Sequence, residues 1–449
     1  MRIKDFVVFF SVIVTFAIFR TCAAAKNVYA LVAAYPTVTD GITLEELKEI
    51  GKNTGLVLTK KTYEYISHHL SIQQAKIKEE KDIVQSIWDT GSYGIVPFDE
   101  LDPRLKVLAI DGESPFLTDF DPDNYFLTID TDDENSNYDK NKLTTVILTG
   151  TTAMARHLSY HIETDGLFVP VENIADTLRA ADITHISNES SFYSDCPAAV
   201  PLRREARFCS SPSYFPILEK IGADVIELTG NHNLDWGEEG YMESLEMYKR
   251  AGMKVYGGGK DAADASQPVL IEHNGNRIAF VGCNAIGPEK ALAGENKLGA
   301  AACDREKLKE QVLGLKEKGY QVIVTFQHLE HVWYDVPRLQ NYDFYWIAKE
   351  ASPAVISGSQ AHIPQGMTFS NGSFIHFGLG NLLFDQMSDV ERTSFFDRHY
   401  FYDGRYIGNH LETIILENYS QPRFLTQTER EKFTKMIFDT CEWSGVFGK

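Results

Sequence analysis

The sequence predicts an α/β protein built in two units, a smaller α/β module followed by a larger α/β sheet domain. Three observations predict it. From Lys142 onward short apolar strands alternate with helical stretches, the pattern of an α/β sheet. Residues 26–130 show the same mixture on a smaller scale. Between the two, the acidic, Asn-rich run Thr131 to Asn141 offers almost nothing to a core, so residues 131–142 read as a linker. A length of 449 residues allows two or three domains, at roughly 150 residues each.

Taken in order, Arg2 and Lys4 precede an apolar run from Phe6 to Phe19 and the small residues Ala23 to Ala25. That order predicts a secretory signal over residues 1–25, with an uncleaved N-terminal anchor as the alternative. Cys22 follows Arg20 and Thr21, a poor lipidation context. In the module 26–130, Val28 to Ala34 is strand-like, and Thr43-Leu44-Glu45-Glu46 is a capping-box pattern. Leu44, Leu47 and Ile50 keep one apolar helix face, and Gly51 is the expected stop. Ile72 to Trp88 reads as a second, charge-laced helix. Lys106 to Ile110 and Tyr125 to Ile129 read as strands.

The larger domain, residues 143–420, carries expected strands at Thr145–Leu148, Ile183–Ser187, Asp224–Leu228, Arg277–Val281, Val322–Phe326, Ala354–Ile356 and Phe374–Phe377. Expected helices lie at Glu172–Ala180, Ser213–Ile221, Glu239–Arg250, Asp304–Lys318 and Phe344–Glu350. The remaining residues, 421–449, read as a C-terminal helix over Thr428–Cys441.

Acidic residues outnumber basic ones 63 to 43, for a net charge of −20. With no Lys/Arg stripe, nucleic acid is excluded as the main partner. Cys196 with Cys209 and Cys283 with Cys303 are close pairs around polar loops. In an exported chain they read as local disulfides worth about 3 kcal/mol each, the alternative being four buried thiols. Cys441 is left over as a free thiol. No double CxxC spacing points to a thiolate zinc site.

Five strands run directly into polar motifs: Thr149-Gly150-Thr151-Thr152, Ser187-Asn188-Glu189-Ser190, Thr229-Gly230-Asn231-His232-Asn233-Leu234-Asp235, Gln327-His328-Leu329-Glu330-His331 and Ser357-Gly358-Ser359-Gln360-Ala361-His362. Ligands in open α/β sheets bind beyond the carboxyl ends of strands, so these motifs are expected to share one cleft. Turns alone account for the Gly and Ser residues, but not for the His and Glu residues. In the Asn231-His232 motif the amide carbonyl and the imidazole are neutral ligands for a divalent ion, and Asp235 is placed to orient the imidazole. The alternative is an Asx turn with a capped helix start at Gly237.

Taken together, these motifs resemble the bacterial capsule-synthesis proteins of the CapA type. The resemblance spans about residues 143 to 390 and rests on Gly150 with Arg156, Asp182, Asn188-Glu189, Asn231-His232 with Asp235 and Gly237, His328 with Glu330, Gly358 with His362 and Gln365, and Gly380-Asn381 with Phe384-Asp385. It implies a four-layer α-β-β-α sandwich similar to calcineurin-type metallophosphoesterases, and a role in poly-γ-glutamate capsule formation. Residues 26–130 are loosely similar to one lobe of a solute-binding protein. Two departures stand out: Thr151 replaces an Asp that is a primary metal ligand in the family, and Gln360 replaces a His.

The resemblance thus implies one divalent ion rather than two, with Glu189, Asn231, His232, His328 and His362 as ligands, or a polar-polymer site without metal. His232 and Asp235 are the catalytic pair it implies. Thr151, Arg156, Asn188, Glu330, Gln360, Gln365 and Asn381 are the implied substrate-binding residues. The expected function is synthesis, retention or attachment of an extracellular anionic polymer by a secreted or envelope-associated protein, with that polymer or its synthesis machinery as partner. The alternatives are a metal-dependent phosphoesterase-like hydrolase and a solute-binding receptor. His376 reads as a packed core histidine, and His157, His161 and His185 are read as lacking ligand spacing. Phe395, Phe396, Tyr400, Phe401 and Tyr402 read as core or as a polymer-contacting ledge. Gly257-Gly258-Gly259 is expected to be a turn, since no GK[ST] step follows.

Overall fold

The computed structural model describes residues 25–448, apart from Thr54, Ser71, 132–135, 202–204, 329–333 and Met387. All of the expected leader except Ala25 therefore lies outside the described residues. Among the described residues no helix is long and apolar enough to cross a membrane.

The first unit is a mixed sheet built around β1 (Ala25–Ala34), whose run Val28–Ala33 is buried. Around it lie β2 (Gly41–Ile42), β3 (Leu56–Thr59), β4 (Ala75–Lys78), β5 (Gly94–Pro97), β6 (Leu105–Ile110) and β7 (Thr128–Thr131). Their order is β2-β6-β1-β5-β3-β4, with β7 pairing the start of β1. Helices α1 (Leu44–Asn53), α2 (Lys60–Leu70) and α3 (Ile83–Thr90) complete it. The capping box forms: Glu46 N–H donates to Thr43 Oγ1 at 3.2 Å and Thr43 N–H to Glu46 Oε2 at 2.8 Å. Gly51 does not stop α1. Its carbonyl accepts from Gln73 and Gln74, and the helix runs on to Asn53, with Gly55 beyond it in the left-handed region at φ +78° and donating its N–H to Ile50 O.

The expected helix over Ile72–Trp88 is also corrected. Its first half is β4, which pairs with β3 from Leu56↔Ala75 to Thr59↔Lys78, and only Ile83–Thr90 is helical. Strand pairing here overrides local propensity. Nor is the described part of 131–142 a loose linker. Asn137 accepts from Val28 N–H at 2.7 Å and donates to Val28 O at 2.9 Å, supplying β1 with a side-chain partner, and Tyr138 packs edge-on against Phe98 and Phe120.

The second unit is a four-layer α-β-β-α sandwich. One sheet has the order β11-β10-β9-β8-β21-β22-β23, with β20 beside β8. Its strands are β8 (Leu143–Thr152), β9 (Ile183–Asn188), β10 (Val225–Glu227), β11 (Lys254–Tyr256), β20 (Asn381–Leu383), β21 (Thr393–Tyr402), β22 (Arg405–Glu417) and β23 (Gln421–Phe424). The facing sheet, β13-β14-β16-β17-β19-β18, is made of β13 (Val269–His273), β14 (Asn276–Asn284), β16 (Gln321–Gln327), β17 (Val355–Ser357), β18 (Met367–Ser370) and β19 (Ser373–His376). Between β11 and β13 the chain makes the short strand β12 (Gly258–Gly259), which pairs with β15 (Gly299–Ala300), so the Gly257–Gly259 stretch is in part a strand.

Strand alternation divides the apolar side chains among three cores. In β8, Ile147 faces the helices α4 (Arg156–Asp165), α5 (Ala175–Arg179), α6 (Pro216–Lys220) and α7 (Gly237–Arg250). Val146 and Leu148 face the other way, meeting Ile278, Phe280, Ile323 and Val355 of the second sheet. On that sheet's outer side Val281, Val322 and Val324 pack beneath α9 (Arg305–Glu317) and α10 (Arg338–Ala351), with the short α8 (Ala262–Ala265) alongside. The tail is a strand and a helix: β23 extends the first sheet, and α11 (Gln427–Phe438) inserts Phe433, Ile437 and Phe438 into the inter-sheet core.

The long β21–β22 hairpin was not anticipated from sequence. Its turn, Asp403-Gly404, has φ of +49° and +78°, as a two-residue hairpin requires. Phe395, Phe396, Tyr400, Phe401 and Tyr402 all lie buried in it, so the aromatic run is core rather than an exposed ledge. Tyr400 stacks on Phe116 at 3.8 Å, joining the two units in one apolar cluster. Arg430 of α11 adds an ion pair to Asp40, which also meets Lys106 at 2.7 Å.

Polar side chains cross the inter-sheet core. His376 is core, as expected, with Nδ1 2.6 Å from Asp397 Oδ2. His399 Nδ1 lies 3.0 Å from Tyr406 OH. Burial pushes His399 down to about 4 from 6.5, and nearby His376 and His185 add to this against the pull of Asp397. The unfolded chain therefore binds a proton in this window that the folded chain does not. Stability contributed by neutral His399 is present above pH 6.5 and is lost as pH falls toward 4. Urea unfolding between pH 4 and 7 is expected to give a slope for the parent that exceeds that of His399→Gln by up to ~1.4 kcal/mol per pH unit.

Candidate functional site

Two backbone crossings bring the strand ends together. A Cβ on Gly150 would fall 1.9 Å from Gly380 O, and one on Gly358 would fall 1.8 Å from Phe377 O. Bare backbone at these points lets β20 close on β8 and the loop after β17 close on the end of its neighbour β19. That loop is then tied across. Thr151 Oγ1 donates to Ser359 O at 3.3 Å, Gln360 Nε2 to Ser187 Oγ at 2.6 Å, and Ser359 Oγ to Glu227 Oε2.

Glu189 follows β9 and is pinned by its N–H to Thr152 O at 2.8 Å. Its carboxylate is buried between two imidazoles: Oε1 is 3.8 Å from His232 Nε2 and Oε2 is 3.8 Å from His362 Nε2. Each imidazole is anchored through its other nitrogen. His232 Nδ1 is 2.6 Å from Asp235 Oδ2, and the same oxygen accepts Phe208 N–H at 2.9 Å. His362 Nδ1 is 2.9 Å from Asn381 Oδ1. Since both anchors accept, each Nδ1 carries a hydrogen and each Nε2 is turned toward Glu189. Gly230 permits this turn, because a Cβ there would meet Glu189 Cα at 2.9 Å. Asn231, with Oδ1 buried, stands beside His232 in the same turn.

An aromatic wall backs the imidazoles. Phe208 lies 4.5 Å from the His232 ring, and Phe384 lies 5.0 Å from that of His362. Arg156 covers both phenyl rings, at 4.7 and 5.1 Å, and pairs with buried Asp385 at 2.7 Å. Burial raises the Asp385 carboxyl even against this guanidinium. Phe384 belongs to the Phe384-Asp385 step of the family resemblance, whereas Phe208 is not singled out by the sequence. The available signal for it is Cys209 alongside, for the Cys196–Cys209 disulfide closes the loop that presents Phe208. Cys283–Cys303 also forms, and Cys441 is free, its thiol pushed up to about 12 by burial.

Other expected site residues are placed differently. Asn188 turns its amide to Ser190 O and Tyr248 OH, both at 2.7 Å, on the helix side of the sheet. Gln365 Oε1 accepts from Gln340 Nε2 at 3.0 Å, and its own amide donates to Asp335 O. His328 Nε2 lies 3.0 Å from Asp343 Oδ2, a carboxylate also paired with Arg305, and burial lowers the His328 pKa. Glu330 lies outside the described residues. His185, buried in the inter-sheet core, meets Tyr256 OH at 2.8 Å and Glu227 at 3.4 Å. His157 and His161, by contrast, are one turn apart on α4, with Nε2 atoms 3.1 Å from each other; the pair does have ligand spacing.

Among the described residues no group of three or more His, Cys, Asp or Glu side chains is arranged to hold a metal ion. Glu189, His232 and His362 meet as two carboxylate–imidazole contacts of 3.8 Å. The orientation of the imidazoles fits metal binding in one respect, since ligating imidazoles are held through the other nitrogen by a carboxylate or carbonyl.

Two facing sheets flanked by helices, with polar loops gathered at their carboxyl ends, define an α-β-β-α sandwich protein with its candidate site at one rim. The chain belongs to the bacterial capsule synthesis protein family PGA_cap, whose profile matches residues 145–386. It is 23% identical over 171 residues to the PGA biosynthesis protein CapA of Bacillus subtilis, covering 38% of this chain and 45% of that protein. To the capsule biosynthesis protein CapA of Bacillus anthracis it is 21% identical over 251 residues, covering 55% and 61%. The matches thus span about half the length of these curated relatives. Among solved structures, it is similar to an NAD nucleotidase from Haemophilus influenzae, at 13% identity and TM-score 0.36, over 68% of this chain and 57% of that one. A 5'-nucleotidase precursor from Thermus thermophilus matches at 14% identity and TM-score 0.36, over 66% and 58%.

The crossings give a sharp test. Gly150→Ala and Gly358→Ala are each expected to lower stability by about 3 kcal/mol or to block folding. A Cβ on Gly314, in the interior of α9, meets nothing within 4 Å, so Gly314→Ala is expected to stabilise by about 0.5–1 kcal/mol. Denaturant midpoints measured side by side check both.

Proposed function

We propose that this chain works outside the cell or at its envelope in the synthesis, retention or attachment of an anionic polymer of the poly-γ-glutamate kind, with the Glu189–His232–His362 cleft as its recognition centre. The observation that carries this reading is the pair of anchored imidazoles turned onto one buried carboxylate. Membership of a capsule-synthesis family supports the polymer, and two disulfides support an oxidising compartment. Glu189, His232 and His362, with Asn231 beside them, would hold one divalent ion. Such an ion supplies positive charge to bind and polarise an anionic group in an otherwise acidic protein. Asp235 and Asn381 fix the imidazoles, and Arg156 stiffens the wall behind them. Thr151 and Gln360 supply cross-sheet ties where the family resemblance implies an Asp and a His ligand, which favours one ion over two.

A second reading, a metal-dependent hydrolase, is favoured by the Asp235–His232 dyad, whose imidazole is placed to move a proton. Purified protein is to be assayed for bound metal, for binding of fluorescent poly-γ-glutamate, and for turnover of a generic phosphodiester. Polymer binding without turnover, lost in Glu189→Gln and in His232→Ala, is the expected result. Turnover abolished by His232→Ala would establish the hydrolase instead, and neither binding nor turnover with any divalent ion would remove both readings. Asp235→Asn is expected to weaken divalent-ion affinity by ~10–100-fold, read by isothermal titration with little change in unfolding midpoint.

A further inference from the structure

We propose that α4 carries a second, separate transition-metal site, formed by His157 and His161 with the backbone carbonyl of Asn418. The two histidines are four residues apart, so the helix projects both rings from one face. Their Nε2 atoms are 3.1 Å apart, and His157 Nε2 is 2.9 Å from Asn418 O. Donors bonded to one ion at about 2.0–2.1 Å stand about 3 Å from each other, so the Nε2–Nε2 and Nε2–O distances already match a shared coordination sphere, and the His157 Nε2 hydrogen now donated to Asn418 O is the one an ion would displace. Asp165, one further turn along, takes the His161 Nδ1 hydrogen. That fixes the tautomer with the Nε2 lone pair turned toward His157, the carboxylate–histidine arrangement that raises ligand basicity. Both imidazoles are partly exposed, so an ion and the waters completing its shell can enter.

Two imidazoles and a carbonyl select zinc, copper or nickel, and not the magnesium or calcium that all-oxygen sites prefer. The third donor comes from a different element. Asn418 and Tyr419 form the β22–β23 turn, with φ of +50° and +58°. Arg392 lies over the Tyr419 ring at 4.7 Å and is itself paired with Asp389. A bound ion would therefore clamp that turn to α4. At the N-terminal end of the same helix, Asp385 accepts His157 N–H at 2.6 Å and pairs with Arg156 behind the aromatic wall. The site shares no ligand with the Glu189 centre and does not depend on what that centre does.

The test uses full-length protein without a polyhistidine tag, stripped with chelator, in a His232→Ala/His362→Ala background that silences the central cleft. Zinc and copper are titrated calorimetrically, and the copper form is examined by electron paramagnetic resonance. One ion per chain is expected, with two imidazole nitrogens in the copper spectrum. Loss of that ion in His157→Ala and in His161→Ala, and ~10–100-fold weaker binding in Asp165→Asn, complete the expected pattern. No bound ion in this background, or affinity unchanged in both histidine variants, would overturn the site. The spectrum needs no variant at α4, so a copper signal with fewer than two nitrogens overturns it even if those variants fold poorly.

Discussion

The cleft depends on backbone approaching backbone more closely than any side chain would allow. At Gly150 against Gly380, and at Gly358 against Phe377, the space for a Cβ is already occupied by a carbonyl. These crossings set how far the loop after β17 reaches over the ends of β8 and β9. Once it reaches, the ties follow: Thr151 to Ser359, Gln360 to Ser187, Ser359 to Glu227. His362 arrives on that loop and meets a glutamate that sits 173 residues earlier in the chain. A small outward shift of the loop would move an imidazole whose orientation is fixed to within a hydrogen bond, and positions of that kind tolerate little error.

The inter-sheet core beneath the cleft is not purely apolar. His185, Glu227, Tyr256 and Thr325 form a linked set, with Tyr256 OH 2.9 Å from Thr325 Oγ1 across the two sheets. Burial works to raise the Glu227 carboxyl, yet its bonds from His185, Ser359 and Thr229 hold it below its ordinary value. Buried polar networks cost desolvation unless they are satisfied, and in exchange they specify alignment that apolar packing leaves free. Here the alignment is that of one sheet over the other. Ser359 belongs both to this network and to the cleft loop, so sheet register and site geometry are joined through one hydroxyl.

Much of this was legible in the residues, for reasons that differ by element. Parallel strands buried on both faces, such as Ile183–Asn188 and Gln321–Gln327, announce themselves as apolar runs ending in polar motifs. The Thr43–Glu46 box was legible because capping is local chemistry. The β21–β22 hairpin was not, because its core aromatics follow no clean alternation; its Asp403-Gly404 turn was the available signal. Likewise β4 looks helical in isolation and is a strand only because β3 lies beside it. At the site, His232, His362 and Glu189 are legible as strand-end polar residues, and the structure brings the three together. Asn188 and Gln365 belong to the same motifs, yet their amides point into the packing, and sequence carries no record of which way a side chain turns. The His157–His161 pair shows the reverse: its spacing was in plain view, and its meaning came from Asn418, 261 residues away.

The two departures from the family pattern explain each other. A carboxylate at position 151 and an imidazole at position 360 would each bring a ligand for metal, and carboxylate charge would have to be neutralised there. In this chain the same two positions carry Thr and Gln, and both hydrogen-bond across the gap between the sheets instead of pointing donors into it. Neutral ties at these places remove the need for a second cation to hold like charges together, since carboxylates sharing a site raise one another's pKa unless an ion intervenes. What remains is Glu189 between two imidazoles, one of them held by the Asp235 carboxylate. With one carboxylate fewer than a centre that has Asp at position 151, a single bound divalent ion would be less fully neutralised, which on the proposed reading favours holding a polyanion over completing a two-metal centre.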